Sequence, residues 1–268
     1  MAGWFGELVE TTVRVATWNL WWRFGPWEER QAAIVATLQD LEADIICIQE
    51  TWPEQAAELG QNLGMHHEVA CGLELGGLSF GNAILSRWPL SEPEVCPLPA
   101  EEGADEGRLV LRAAVDGPRG PIQVHTTHLN WRYDHSRLRQ EQVAVLSRFV
   151  ADGPERSYPP VVCGDFNAEP VSDEVRMMTG RTAVPVPPLV FHDAWDVAAP
   201  GRDGTTWSNT NPYAVWELEP ARRIDYIFSG WPKQGGLGHA VRAGLVGVDA
   251  VDGVVPSDHY GVWADLRY

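Results

Sequence analysis

An α/β sandwich is the fold class this sequence predicts, and three observations predict it. Eight short apolar runs have the length of strands. Three stretches have helical spacing of apolar residues and lie interspersed among those strands. At 268 residues and 44% hydrophobic, the chain has material for a large buried core. No internal repeat, low-complexity tract or linker divides it, so residues 1–268 are expected to form one domain.

Val13–Leu20 (VRVATWNL) is the first expected strand. Pro26-Trp27-Glu28-Glu29 opens the first helix with Pro and acids in its first turn, where unpaired N–H groups favour them. That helix runs to about Asp40, with Ile34, Val35 and Leu38 on one face. Asp44–Glu50 (DIICIQE) is apolar on both faces, which marks a central strand. Pro53–Leu63 is the second helix. Asn82–Ser86, Leu109–Val115 and Ile122–Asn130 follow as strands. Ser136–Val150 is the third helix, with Leu138, Val145, Leu146 and Phe149 near helical spacing. Val161–Asp165, Arg223–Phe228 and Gly261–Leu266 complete the strands. Arg181–Pro188 (RTAVPVPP) reads as a long surface loop, too short to separate domains.

The formal net charge of −17 excludes a grip on nucleic acid through a broad basic surface, so no strong non-specific polyanion binding is expected. It leaves room for a nucleic-acid substrate whose charge is met by a bound cation. Cys47, Cys71, Cys96 and Cys163 are widely spaced with no CxxC pair, which argues against a disulfide framework or a zinc knuckle. Cys47 and Cys163 sit inside apolar strands and read as buried thiols. MAGWFGELVETT lacks the basic and apolar regions of a signal peptide, and no apolar run would span a membrane. A soluble, cytoplasmic protein is expected.

Five segments share one design: an apolar strand with a polar residue at or near an end. By alternation, Asn19 shares a face with Val13, Val15 and Thr17, and Glu50 with Ile46 and Ile48. Asp165 shares a face with Val161 and Cys163, and Asn167 joins it if the chain stays extended. Asp225 lies in RRIDYIF, and Asp258 and His259 stand just before the last strand. Taken singly, each reads as a turn, a cap or an ion-pair partner. Together they describe convergent polar groups at strand ends, the way an α/β scaffold builds a site. HTTHLNWRYDH invites a zinc reading, but His125 and His128 point to opposite faces of a strand. His128 and Asn130 share a face at the strand end, so His128 is the site candidate. His125 is expected to be structural, and His135 to lie at the surface or a helix start.

These residues, in this order, resemble the endonuclease/exonuclease/phosphatase superfamily. The matching pieces are ATWNL, IQETW, GNAILSR, THLNW, GDFNAEP, RRIDYIF and SDHYGV, spread from residue 16 to residue 262. The resemblance implies a four-layer α/β sandwich of the DNase I type, with two packed, mostly antiparallel sheets flanked by helices. It implies hydrolysis of phosphoesters with a divalent metal, Mg²⁺ and in its place Mn²⁺. Carried over by motif, Glu50 looks like the principal metal ligand, with Asn19 beside it and Asp258 as a further metal-side carboxylate. Asp165 and Asn167 look like the pair that orients the attacking water and the phosphate. His259 looks like the general base or a phosphate contact, Asp225 like its orienting partner, and His128 like a donor to a phosphate oxygen. The chemistry suits those roles. Mg²⁺ prefers hard oxygen ligands, a carboxylate fixes an imidazole tautomer, and amide and imidazole donors stabilise phosphoryl oxygens. In-line attack by water needs no Ser or Cys nucleophile, and no GxSxG motif is present.

The wording of GDFNAEP and HLNW, with the helix carrying Arg137 and Gln140, looks most like deadenylase-type and related bacterial members. Trp22 and Trp131 each follow a site motif closely and, with Asn130, are the substrate-contact candidates. Trp21 and Trp207 could extend a stacking wall for a flat group, although among 13 Trp several must simply pack. The first substrate reading is a nucleotide, single-stranded nucleic acid or small organic phosphodiester. The second is a phosphomonoester or lipid-headgroup phosphodiester. A non-catalytic binding protein on this scaffold would be marked by loss of Glu50, Asp165 or His259, and all three are present.

Overall fold

The computed structural model describes residues 3–101, 103 and 106–268. Among the described residues, twelve strands form two six-stranded sheets. The strands are β1 (Thr12–Asn19), β2 (Ile45–Thr51), β3 (His66–Leu75), β4 (Leu78–Ser86), β5 (Leu90–Pro97) and β6 (Leu109–Val115). The chain continues with β7 (Ile122–His128), β8 (Val161–Asp165), β9 (Phe191–Asp193), β10 (Asp225–Gly230), β11 (Ala240–Val246) and β12 (Gly261–Arg267). The first sheet has the order β11-β12-β1-β2-β4-β3 and the second β5-β6-β7-β8-β10-β9. Each sheet holds one parallel pair near its middle, β1 with β2 and β7 with β8; the other pairings are antiparallel.

Helix α1 (Trp27–Leu41) bridges the first parallel pair and α3 (Ser136–Ala151) the second, as a parallel crossover requires. Helix α2 (Pro53–Leu63) follows β2. Two short helices were not legible in the sequence, α4 (Asp173–Met178) and α5 (Ala194–Ala198). Val13, Val15, Ile45, Cys47, Val124, Val161 and Cys163 fill the space between the sheets. Ile34, Leu38, Ile46 and Ile48 form the core under α1 and α2. Val143, Leu146, Val162 and Phe166 form the core under α3 and α4. The layers are therefore helix, sheet, sheet, helix. Among the described residues, no helix is long and apolar enough to cross a membrane.

This topology sets up the site. Parallel partners run the same way, so the C-terminal ends of β1 and β2 meet, as do those of β7 and β8. β10 and β12 run opposite to their neighbours, which brings their N-terminal ends to the same rim.

Candidate active site

Asp165, the last residue of β8, sits at the centre of that rim, with its side chain buried between the sheets. Its register partners are His128 on β7 and Asp225 on β10. Its Oδ2 accepts a hydrogen bond from Asn19 Nδ2 at 3.1 Å. The same oxygen stands 3.4 Å from His128 Nε2 and 3.8 Å from His259 Nε2. Its Oδ1 accepts the backbone N–H of Asn167 at 2.8 Å. Burial would push the Asp165 carboxyl up, but these two imidazoles and the Asn167 and Asn19 donors hold it below its ordinary value.

Asn19 Nδ2 also donates to Glu50 Oε1 at 3.1 Å, so one amide joins the two carboxylates. Strict alternation would put Glu50 under the helices with Ile46 and Ile48. The ladder between β2 and β4 shifts by one residue between Gln49 and Thr51, and Glu50 takes φ 55°. That bulge turns Glu50 into the cleft. Asn167 corrects the extended reading too: its φ of 49° breaks the strand, and its Nδ2 donates to Leu129 O at 3.2 Å. Phe166, between the two site residues, is fully buried beneath the helices.

His259 Nδ1 lies 3.0 Å from Asp225 Oδ2. Asp225 is wholly buried, and its backbone N–H and that of Ile224 both donate to Thr206 Oγ1. Burial alone would lower the His259 pKa; Asp225 and Asp165 outweigh it and raise it to about 10. Burial lifts Asp258 to about 7 against the pull of His259, and nearby Glu50 adds to the rise. Glu50 is also raised by burial. His128 is driven well below its ordinary value by burial and by Arg108, so its imidazole is neutral.

Glu50 Oε2 is buried and has no hydrogen-bond partner among the described residues. An unpaired carboxylate oxygen facing a second lifted carboxyl, Asp258, is what a hard cation would relieve, so this donor set fits a divalent metal. Asp165, Asp225 and His259 also offer ligand atoms within 4.8 Å of one another. There His259 Nδ1 is already committed to Asp225, which makes that group a hydrogen-bonded relay rather than the better cradle.

The cleft encloses about 430 Å³. Glu50, His128, Asp165, Asn167, Asp258 and His259 line its floor, and Trp21, Phe24, Phe80, Trp131, Trp207 and Ile224 its walls. The Trp207 ring stands 4.9 Å from that of His259. Two expected substrate contacts are elsewhere. Trp22 is buried, donates Nε1–H to Ser79 O and packs its edge on Phe24 and Phe80. Asn130 lies past the end of β7, fully buried, with its Nδ2 donating to Glu106 and its Oδ1 accepting the Arg132 N–H. His125 is buried on the opposite face of β7, against Val161 O and the Phe149 ring.

Arg108 was missed in the sequence, where it reads only as the polar flank of an apolar run. It lines the cleft, and its buried Nε and Nη1 have no hydrogen-bond partner among the described residues, Nε standing 3.9 Å from Glu106 Oε2. Burial pushes its pKa down, and the charges of Glu50 and Asp165 oppose that.

Residues 16–259 match the model of the Endonuclease/Exonuclease/phosphatase family. Tyrosyl-DNA phosphodiesterase 2 of Xenopus laevis is 26% identical over 243 residues, covering 89% of this chain. The chain spans only 62% of that relative's length. The structure of D. rerio TDP2 complexed with single strand DNA product superposes with a TM-score of 0.76 at 19% identity, over 97% of this chain and all of that one (100%). The endonuclease/exonuclease/phosphatase from Beutenbergia cavernae DSM 12333 superposes with a TM-score of 0.72 at 25% identity, over 96% of this chain and 72% of the other. With six motifs of the family each bringing a residue to one rim and the family model spanning nearly its whole length, the chain belongs to the endonuclease/exonuclease/phosphatase family.

Proposed function

We propose that this protein is a divalent-metal-dependent phosphodiesterase that hydrolyses a nucleotide, a single-stranded nucleic acid or a small organic phosphodiester by in-line attack of water. Mg²⁺ is the metal we assign, with Mn²⁺ able to replace it. The observation that carries this reading is the hub at Asp165 Oδ2, which gathers Asn19, His128 and His259 within 3.8 Å beside the unpartnered oxygen of Glu50.

Glu50 and Asp258 would hold the cation, and Asn19 would fix the Glu50 carboxylate through its amide. The bound cation would offset charge on the phosphoryl oxygens and lower the pKa of a water. Asp165 and Asn167 orient the water, Asp165 as an acceptor held ionised by its donors. Neutral His128 lends an N–H to a phosphate oxygen without adding charge. His259, with its Nδ1 proton held by Asp225, presents Nε2 to the cleft. While the carboxylates around it are unneutralised it is an imidazolium and a donor. Its service as a base requires that their charge be offset first. Arg108 gives the phosphate a second, forked donor.

The walls support the choice of substrate. A cleft of this size falls in the usual range for small ligands, roughly 300–1,000 Å³, and its aromatic sides suit a flat group. Glu217 and Glu219 also line it, which disfavours a long polyanion. The single-stranded product in the D. rerio relative is in keeping with a narrow rather than a duplex-wide groove.

The deciding experiment compares a chromogenic phosphodiester, the matching monoester, oligo(A) RNA, and single- and double-stranded DNA, each with Mg²⁺ or Mn²⁺. Turnover abolished by EDTA and by His259→Ala is the expected result. Activity that survives both controls overturns the mechanism, and a preference for the monoester overturns the substrate class.

A further inference from the structure

Arg30 lies on α1, outside every motif discussed so far, and is completely buried. Its guanidinium donates to five backbone carbonyls: Leu20 and Pro256 through Nη1, at 2.7 and 2.9 Å, and Trp21, Trp22 and Phe24 through Nη2, each at 3.0 Å. A buried guanidinium held by carbonyls through Nη1 and Nη2, with Nε buried and without a hydrogen-bond partner among the described residues, is uncommon, because burying the charge is costly. Its acceptors explain the arrangement. Trp21 and Trp22 hold φ of 58° and 34°, left-handed values that bulky residues adopt only when their surroundings enforce them. Arg30 collects the carbonyls of both. Its charge also lies 4.9 Å from the Trp21 ring, which meets Tyr213 at 4.8 Å and Phe24 at 6.4 Å.

Both segments that Arg30 ties together end in the site. Asn19 precedes the strained turn, and its Oδ1 accepts the Trp21 N–H at 2.9 Å, so the turn sets the rotation of the amide that joins Glu50 to Asp165. Pro256 precedes Ser257, whose Oγ donates to Asn19 O at 2.7 Å and accepts the His259 N–H at 3.3 Å. We infer that Arg30 is a positioning residue for the active site: it locks the turn after Asn19 to the segment before Asp258 and His259, and so sets the spacing of the two halves of the metal-side carboxylate pair. The inference rests on the proposed reading, its kinetic arm on the phosphodiesterase activity and its calorimetric arm on the metal site.

The test uses the full chain with Arg30→Lys, which keeps the charge but cannot span five carbonyls, and Arg30→Met, which fills space without a charge. Arg112→Lys is the matched control, since Arg112 is also buried and also bonds a carbonyl, that of Phe149, away from the cleft. Thermal unfolding, Mn²⁺ affinity by calorimetry without substrate, and kcat and KM on the chromogenic diester are measured for all. For Arg30→Lys we expect cooperative unfolding, kcat lower by about 100-fold with KM little changed, and Mn²⁺ binding weaker by about 10–100-fold. Arg112→Lys should lose stability without losing kcat or Mn²⁺ affinity.

Arg30→Met separates geometry from charge. Removing a nearby positive charge would by itself tighten Mn²⁺ binding, whereas loss of positioning weakens it. Wild-type kcat and Mn²⁺ affinity in either Arg30 variant, or tighter Mn²⁺ binding in Arg30→Met, overturns the inference. If the wild-type protein turns over no phosphoester, the proposed function fails, and the Mn²⁺ affinities still decide the role of Arg30.

Discussion

The His259 imidazole stands 3.0 Å from Oδ2 of Asp225, and Asp225 faces Asp165 across the ladder of β8 and β10. One carboxylate therefore grips the far nitrogen of the ring while its register partner attracts the near one. Asp225→Asn keeps the shape and removes the grip. We expect kcat on a phosphodiester to fall by about 10²–10⁴ for Asp225→Asn and for His259→Ala, in steady-state assays with Mn²⁺. An Asp225→Asn enzyme of wild-type rate would show that the ring needs no such partner.

Glu50 should be a residue that activity retains at a cost to the metal-free fold. Burial raises its pKa, so as pH rises above the ordinary carboxylate value the unfolded chain gives up this proton more readily than the folded one, and the group opposes folding. Glu50→Gln should bind Mn²⁺ at least about tenfold more weakly by calorimetry. In EDTA at pH 8, the same variant should unfold at a higher temperature than the wild type. A lower midpoint would mean that the ionised carboxylate stabilises the empty site.

His125 gives a pH dependence separate from the catalytic groups. Burial lowers its pKa to about 3, against about 6.5 in the unfolded chain. Above that unfolded value both states are neutral and the group contributes no slope. As pH falls from about 6.5 towards 3, only the unfolded state takes up the proton, so stability drops by about 1.4 kcal/mol per pH unit from this residue. Urea unfolding from pH 7 to pH 4 should show a shallower fall for His125→Gln, by that one-proton slope. Parallel curves would sink the assignment.

Arg108→Lys tests the phosphate contact. Lysine supplies charge without the fork. KM for the diester should rise about tenfold, corresponding to about 1.4 kcal/mol, with a smaller fall in kcat. Unchanged KM would remove Arg108 from substrate binding.

Gly164 tests the backbone beneath the site. Its φ is +149°, and a Cβ there would meet the Thr127 carbonyl oxygen at 2.0 Å. That oxygen belongs to the parallel neighbour β7, which cannot retreat without moving His128. Gly164→Ala should cost about 3 kcal/mol in urea unfolding. A change of a few tenths would show that the two strands adjust freely.

The sequence exposed the inside of this fold far better than its margins. Every predicted strand lies within the sheets, whereas β3, β5, β9 and β11, all missed, are the four edge strands. Edges escape an apolar-run search because they carry what blunts an edge: Pro93 and Glu94 on β5, His66, His67 and Gly72 on β3. The same rule divides the site. Asn19, Asp165 and His128 lie on regular strand backbone, where alternation gives the face. Glu50 and Asn167 leave that backbone at positive φ, so alternation misplaces the one and overextends the other. Asn130 and Trp22 stand next to site motifs but turn inward, since adjacency in sequence does not fix direction once a strand has ended. Arg108 has no motif around it. Arg30 did leave a trace: it stands four residues before Ile34 and eight before Leu38, a cation on the apolar face of a helix.

Asn19 ends β1, while Asp258 and His259 immediately precede β12, which seats between β1 and β11. In a growing chain β1 must therefore wait for β12, made much later, before the cleft exists. Until β12 is laid down, β1 has an open edge and Glu50 has neither its histidine nor its second carboxyl nearby. A chain still lacking β12 has no assembled cleft, and the exposed edge of β1 is the place where it would pair with the wrong partner. Recovery of hydrolysis during refolding then times the closing of the first sheet, not the earlier collapse of the apolar runs.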